Sequence, residues 1–457
     1  MSNDSVSAPK RVLSVFDVVC IVVGIVIGVG IFKTPNEIAK NTPNDLLMLL
    51  AWLIGGLLCI AGSLCYAELA SAYPYAGGDY IYLKRAYGRF VGFAFVWARL
   101  SVIQTGSIVA LAYAFGDYMS KLINLGEFSS TIYAALIVFI LTAINVLGVQ
   151  QGKWTQNILT TAKVLALLSI VALGLLFPSR SQSAAPQQGG AEGLEPFSWA
   201  AFGLAMIFVL YTYGGWSEVA FVAGELKDAH RNMIRAIVAS MFTLTAIYVL
   251  VNFAYLRLLS LDGMRKSTVV AADAVSNALG EVGGIVVSAF IAISALGATN
   301  GTIFTGARSI YALGSDYLGL RWLGAWHSRL STPSNALIAQ GIICVALIML
   351  SCLGENYKRG FENMVEYTAP AFWLFMLLTG LSVVILRYRD RDIERPFKVP
   401  VLPLTLLVFC GMCAYMFYSS LAYTLEFGRL YALIGVGVLS LSVPFYFVTS
   451  MMEKRRA

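Results

Sequence analysis

The chain is an almost unbroken series of apolar stretches, each near the length that crosses a bilayer, and this feature constrains the fold more than any motif does. A helix needs roughly 20 mostly apolar residues to span about 30 Å of hydrocarbon. Within that hydrocarbon every backbone N–H and C=O must be satisfied by the protein itself, so only helices and closed barrels cross it. Stretches this long select helices. Apolar residues make up 58% of the 457 and charged residues 12%, far from the balance of a soluble domain.

Spans are predicted at about 15–33, 46–70, 88–119, 131–149, 156–177, 199–224, 234–258, 283–313, 334–353, 364–387, 401–424 and 428–451, an all-α polytopic membrane protein of twelve helices. An even count puts both termini on one side. If that side is the cytoplasm, the inward loops carry more of the 32 Lys/Arg than the outward ones, as the positive-inside rule requires of a plasma or inner membrane protein. Three basic residues, Arg99, Lys163 and Arg308, fall inside spans. The densest basic stretch, Arg387, Arg389, Arg391, Arg395 and Lys398, is interleaved with Asp390, Asp392 and Glu394, so it reads as a topology signal and not a nucleic-acid patch. The polar start from Met1 to Lys10 runs into the first span without a small-residue cleavage site, so no cleavable signal is expected.

The seven cysteines (Cys20, Cys59, Cys65, Cys344, Cys352, Cys410, Cys413) lie almost wholly in predicted spans without metal-type spacing, which suits apolar fillers. Both histidines, His230 and His327, fall in predicted cytoplasmic loops. An intramembrane enzyme would need a nucleophile with its base, a metal cluster or clustered carboxylates within the spans. None is seen, and no Gly-x4-Gly-Lys-Ser/Thr loop for ATP is present, so neither enzyme nor ATP-driven pump is expected, and no cofactor.

The longest polar interruption, about 178–198, separates the fifth span from the sixth, where a five-plus-five inverted repeat would begin its second half. The first and sixth spans, at matching positions, are both interrupted by glycine: Gly24-Ile25-Val26-Ile27-Gly28-Val29-Gly30-Ile31-Phe32 and Tyr211-Thr212-Tyr213-Gly214-Gly215-Trp216-Ser217-Glu218. Such pairs point to a midplane binding site between broken helices. Gly24 and Gly28 also form a GxxxG pattern that close helix packing would explain equally well. Unwinding frees backbone donors and acceptors, and a zwitterion meets both kinds: its carboxylate suits the N–H end of a half-helix, its ammonium the C=O end.

At these residues the sequence resembles the amino acid–polyamine–organocation superfamily, and within it the L-type amino-acid transporters and their bacterial relatives. Further matching pieces are Glu68 to Tyr80 with Tyr73-Pro74 and Gly77-Gly78, Gly224-Glu225 with Arg231-Asn232, and Ser294 to Gly301. The resemblance implies a LeuT-type fold with broken helices 1 and 6, a first repeat at about 15–177, a second at about 199–387 and two extra helices at about 401–451, in a single transport domain over 1–457. It implies that the substrate carboxylate meets backbone amides around Val29 and Gly30, and the amino group carbonyls near Val26, Tyr211 and Gly214. Ile27, Gly28, Tyr213 and Ser217 would complete the site, with Tyr211 closing over it and Trp216 as a further gate. Tyr211 and Tyr213 would equally serve as packed aromatics. Many L-type members carry serine where Val29 stands, so a side-chain hydroxyl to the carboxylate is missing.

Lys163 could snorkel to the interface. By the resemblance, its ammonium instead replaces the sodium of coupled relatives, bridging a carbonyl near Gly28 and the Ser294 hydroxyl, which implies sodium-independent exchange or uniport, or proton coupling. Glu218 could hold a cationic substrate or a proton, giving a proton-coupled transporter or antiporter of cationic amino acids or polyamines as the alternative. The resemblance sets the glutamate of members that carry basic amino acids one position earlier, where Ser217 stands, and one residue, about 100° around a helix, turns the Glu218 carboxylate away from the substrate. Arg99 suggests only a salt bridge near the cytoplasmic end. Eukaryotic L-type members join a single-span glycoprotein through a cysteine between spans three and four; the loop Ser120 to Ser130 has none, so no disulfide-linked heavy subunit is expected. The expectation is a sodium-independent permease or exchanger of neutral amino acids, with lipid as its other neighbour.

Overall fold

The structure, a computed structural model, describes residues 11–75, 77–177, 198–267, 269–351, 360–427 and 430–454. In chain order the helices are α1 (Val15–Val26), α2 (Gly30–Lys33), α3 (Pro35–Lys40), α4 (Asp45–Ala72), α5 (Asp79–Tyr87), α6 (Arg89–Ala98), α7 (Gln104–Leu122), α8 (Ser129–Val146) and α9 (Val149–Leu176). There follow α10 (Trp199–Thr212), α11 (Ala229–Lys266), α12 (Val270–Leu279), α13 (Glu281–Asp316), α14 (Ser334–Ser351), α15 (Gly360–Arg389), α16 (Leu402–Phe427), α17 (Leu430–Ser440) and α18 (Ser442–Lys454). Two irregular helical segments matter for the site: a π-helical turn, Arg99–Ile103, joining α6 to α7, and a 3-10 helix, Trp216–Glu225, after α10.

Among the described residues eleven helical stretches are long and apolar enough to cross a membrane, and α1 is a shorter apolar helix. The chain is therefore a polytopic, all-helical membrane protein. Cys352 and most of the polar interruption at 178–198 lie outside the described residues. The window within Arg89–Ser120 is 72% buried against 22% for Leu402–Ala422 and Leu430–Met451, so the last two spans sit at the periphery of the bundle.

The centre of the bundle is α1, which packs against α9, α11, α13 and the 3-10 helix. A capping box starts it: Asp17 N donates to Ser14 Oγ at 3.2 Å and Ser14 N to Asp17 Oδ2 at 2.8 Å, so the orphan amides of the first turn are met where the chain enters the bundle.

The end of the bundle that carries Ser14 is tied shut by charge and backbone. Leu13 N donates to Glu225 O, and Lys227 N to Leu13 O, both at 2.9 Å, fastening the chain start to the end of the 3-10 helix. Buried Arg308 on α13 grips the Glu225 carboxylate. Arg387 Nε donates to Glu68 Oε1 at 2.7 Å and Arg85 Nε to Asp390 Oδ2 at 2.9 Å, linking α4 and α5 to the end of α15. Much of the basic stretch after residue 386 is thus engaged with carboxylates and carbonyls of the bundle.

Candidate functional site

The first break separates α1 from α2 at Ile27, Gly28 and Val29. The carbonyls it frees are nearly all taken. Lys163 Nζ on α9 donates to Gly24 O, Ile27 O and Ser294 O, each at 2.7 Å. Ser294 Oγ on α13 donates to Ile27 O at 2.9 Å, with Gly28 O at 3.2 Å. Val26 O accepts from Gly28 N at 2.7 Å and Tyr248 Oη at 2.8 Å, which fills both lone pairs of that carbonyl. The donors that follow are free. Val29, Gly30 and Ile31 N–H meet no backbone carbonyl among the described residues, because they precede or open a new helix.

The second break lies between α10 and the 3-10 helix. Gly215 turns the chain with φ +104°, a left-handed conformation that glycine alone adopts without strain. A Cβ there would stand 2.8 Å from Ile25 Cγ2, and one on Gly30 would stand 2.9 Å from Thr212 Cγ2. The two breaks therefore pack directly on each other. Ile25 O and Gly214 O receive no hydrogen bond among the described residues.

Between the breaks, α7, α13 and α15 lies a cavity of about 170 Å³. That is far more than the roughly 15 Å³ a water needs. Its wall is mostly apolar, with Gln104, Ser107, Thr302 and Thr368 as polar points and Glu218 in the lining.

Glu218 is neutralised in place. Arg99 reaches it with both terminal nitrogens, Nη1 to Oε1 at 3.0 Å and Nη2 to Oε2 at 2.9 Å. Thr305 Oγ1 also donates to Oε2, and Arg99 Nε donates to Ser309 Oγ at 3.1 Å. The guanidinium lies over the Phe221 ring, 3.6 Å from its centroid, a cation–π contact that blankets its free face.

Of the residues expected at the site, Val26, Gly28, Val29, Gly30, Tyr211 and Gly214 line this cavity. Ile27 is fully buried and gives its carbonyl to Lys163 and Ser294. Tyr213 points away: its Oη donates to Trp52 O at 3.0 Å and its ring packs on Tyr248, so it is a packed aromatic. Trp216 packs edge-on against Tyr66, 5.1 Å between centroids, and is not in the cavity wall. Ser217 lines a second, small cavity beyond the first. Three expectations are corrected. Lys163 is 0% exposed and does not snorkel; it meets the Ser294 carbonyl, not the hydroxyl. Glu218 faces the cavity, because the 3-10 helix and the left-handed turn before it reset the helical phase. Arg99 is buried beside the cavity and pairs there. Sequence reasoning missed Ile25, Gln104, Ser107 and Thr302; the polar run Gln104-Thr105-Gly106-Ser107 in an apolar span was the available signal.

Residues 13–439 match the family model described as amino acid permease. The chain belongs to the amino acid permease family. It is 32% identical to the mouse b(0,+)-type amino acid transporter 1, over 84% of this chain and 77% of that protein. It is 29% identical to the serine/threonine exchanger SteT of Bacillus subtilis (strain 168), over 98% of each chain. The human large neutral amino acids transporter small subunit 2 is 28% identical over 96% of this permease and 81% of its own length. The resemblance drawn from the motifs thus names the right family, a family of transporters and not of enzymes, and amino-acid transport through the membrane is the activity its members share.

Proposed function

We propose that this permease carries neutral amino acids by alternating access, as an exchanger or uniporter that does not use sodium. The observation that carries the reading is the cavity between two packed helix breaks, with free amides on one side and free carbonyls on the other. The substrate carboxylate takes the amides of Val29, Gly30 and Ile31, and its ammonium takes Ile25 O and Gly214 O, since Val26 O is already committed. Tyr211, 37% exposed at the wall, is the side chain that closes over it.

Sodium independence follows from Lys163. Three carbonyls converge on one nitrogen, which demands three N–H donors and so an ammonium. A cation is thereby built into the brace of the first break, and a sodium ion there would repel it. Neutral selectivity follows from the Arg99–Glu218 pair, which leaves the wall without net charge. The carriage of cationic amino acids or polyamines remains the second reading because Glu218 does line the cavity.

In the same reading α1 to α3 form one span, giving twelve in two inverted five-span repeats, 15–177 and 199–387, with two peripheral helices following. Both termini face the cytoplasm of a cell whose plasma or inner membrane holds the protein. The tied end of the bundle is then its cytoplasmic face. The chain operates without a disulfide-linked subunit.

The test is uptake of radiolabelled amino acids into proteoliposomes, with and without internal substrate, sodium and a pH gradient. Neutral amino-acid uptake unchanged by sodium is expected. Uptake confined to arginine, lysine or polyamines would overturn the neutral reading, and a sodium requirement would overturn the role of Lys163.

A further inference from the structure

Beneath the Arg99–Glu218 pair, on the side of the tied end, lies a second cavity of about 10 Å³. It is walled by Arg99, Ser217, Tyr66 and Asp79, with Phe95, Phe372 and Phe375 among its apolar neighbours. Asp79 opens α5, outside the spans, yet it is only 5% exposed. Tyr66 Oη donates to its Oδ2 at 2.9 Å. Its Oδ1 is buried with no hydrogen-bond partner among the described residues. Asp79 thus shares the wall of this cavity with Arg99, while Glu218, in the wall of the first cavity, holds both terminal nitrogens of that guanidinium.

An ionised carboxylate buried with one oxygen unmatched is far more costly than the same group as a neutral acid. We propose that Asp79 is a proton-binding site in which a proton stands in for Arg99: the guanidinium serves one buried acid at a time, Glu218 in this state, and Asp79 when the 3-10 helix withdraws Glu218 toward the water of the opened cavity. In that step the Asp79 O–H bond breaks, its proton leaves to water on the side of the tied end, and the carboxylate takes the salt bridge Glu218 gives up. No other bond changes. Movement of the 3-10 helix, which borders both cavities, is thereby linked to one proton.

The groups facing Asp79 fit this arrangement. Tyr66 of α4 and Tyr82 of its own helix are neutral phenols, Arg99 comes from the π-helical turn and Glu218 from the 3-10 helix, while α6 and α15 offer Phe95, Phe372, Phe375 and Met376. Burial, with a smaller push from Glu218 and against the pull of Arg99 and Tyr66, raises the Asp79 carboxyl to about 7. Because this value lies above that of a free carboxyl, the state seen here is favoured below pH 7 and is lost as pH rises through it.

The inference rests on the transport reading only for its second readout. The first is infrared spectroscopy of the purified full chain as a function of pH. We expect a carboxylic-acid C=O band that fades as pH rises through about 7 and is missing in Asp79→Asn. A band unchanged in Asp79→Asn, or no band at acidic pH, overturns the proposal whether or not the protein carries amino acids. The second readout is initial uptake on either side of pH 7. Wild type should change by roughly tenfold per pH unit above the midpoint, while Asp79→Asn, which keeps the shape of the neutral acid, should vary less than about twofold on the same scale. A melting temperature of Asp79→Asn equal to or above that of wild type in alkaline buffer separates this result from misfolding. Identical pH profiles in two folded proteins would overturn the proposal.

Discussion

Two buried cations stand beside the two breaks, and they are satisfied in opposite ways. Lys163 is held by three backbone carbonyls and forms no ion pair among the described residues, so its charge is kept. Arg99 is held by the Glu218 carboxylate, so its charge is cancelled. The difference lies in what each supports. Around the first break the chain has too many acceptors, and an ammonium, with three donors and no acceptor, fits them without further groups. Beside the second break it is a side chain that must be tamed, and a planar guanidinium matches a carboxylate with two parallel bonds. One cation builds backbone geometry, and the other sets the charge of a wall.

The largest test of that contrast is Lys163→Met. It removes three charge-assisted bonds to buried carbonyls at about 1–3 kcal/mol each, partly relieved if water enters and at Ile27 O by the Ser294 hydroxyl that remains. Uptake in proteoliposomes should fall at least a hundredfold, on the order of the loss those energies imply. Lys163→Arg should not rescue it, because a flat fork cannot reach three converging oxygens and Gly297 leaves no room: a Cβ there would already be 2.8 Å from Lys163 Nζ. Retention of uptake by either variant would show that the charge braces nothing.

Next in size is Glu218→Gln in acidic buffer, where Asp79 holds its proton and Arg99 is left buried without a counter-charge, a change worth about 3–5 kcal/mol. The melting temperature should drop clearly. Arg99→Gln together with Glu218→Gln should recover most of it, since removing a buried pair whole is close to neutral. A double variant as unstable as the single one would show that Arg99 matters for its packing on Phe221 instead. For Lys163 no such rescue by a second substitution exists, which is the sharpest form of the comparison.

How far these sites were legible depends on whether their partners are local. Each of the eleven membrane-length helices among the described residues overlaps an apolar run read from the sequence, because hydrophobic length is written continuously in the chain. The two breaks were visible as glycine runs. Lys163 stood out as a lone charge in an apolar segment, although the choice of a Ser294 carbonyl over its hydroxyl depends on side-chain geometry that sequence does not carry. The Arg99–Glu218 pair was hidden for two reasons. Its members are 119 residues apart. Helical counting also failed at Glu218, which lies in a 3-10 helix after a left-handed glycine, a departure that rotates every later side chain. Tyr213 and Trp216 came with the resemblance, which does not carry the direction of a side chain: Tyr213 reaches Trp52 O and Trp216 packs on Tyr66.

A smaller effect should come from Gly215→Ala, which touches the junction between the two sites. It places a Cβ 2.8 Å from Ile25 Cγ2 on a residue at φ +104°. Strain of about 1–3 kcal/mol should be relieved by separating the breaks. Affinity for substrate, read by equilibrium binding, should weaken by about tenfold, in line with 1.4 kcal/mol. Unchanged binding would mean that the contact between the breaks does not shape the cavity.

Ser294→Ala should have the least effect, and it isolates how much of the first break depends on Lys163 alone. The hydroxyl donates to Ile27 O, which Lys163 also reaches, while the Ser294 carbonyl that holds Lys163 belongs to the backbone and survives the change. What is lost is one neutral bond of about 1 kcal/mol, and its main acceptor keeps a second donor. Uptake should fall by no more than about fivefold, in keeping with that energy, and sodium should still have no effect. If Ser294→Ala instead abolished uptake, the brace would be a shared network in which neutral and charged donors count alike, and the distinction between a cation that builds geometry and one that cancels charge would fail at the first of its two sites. If uptake became sodium-dependent, the Lys163 ammonium would have yielded its place once its neighbour was gone, which would tie its position to Ser294 and not to the three carbonyls.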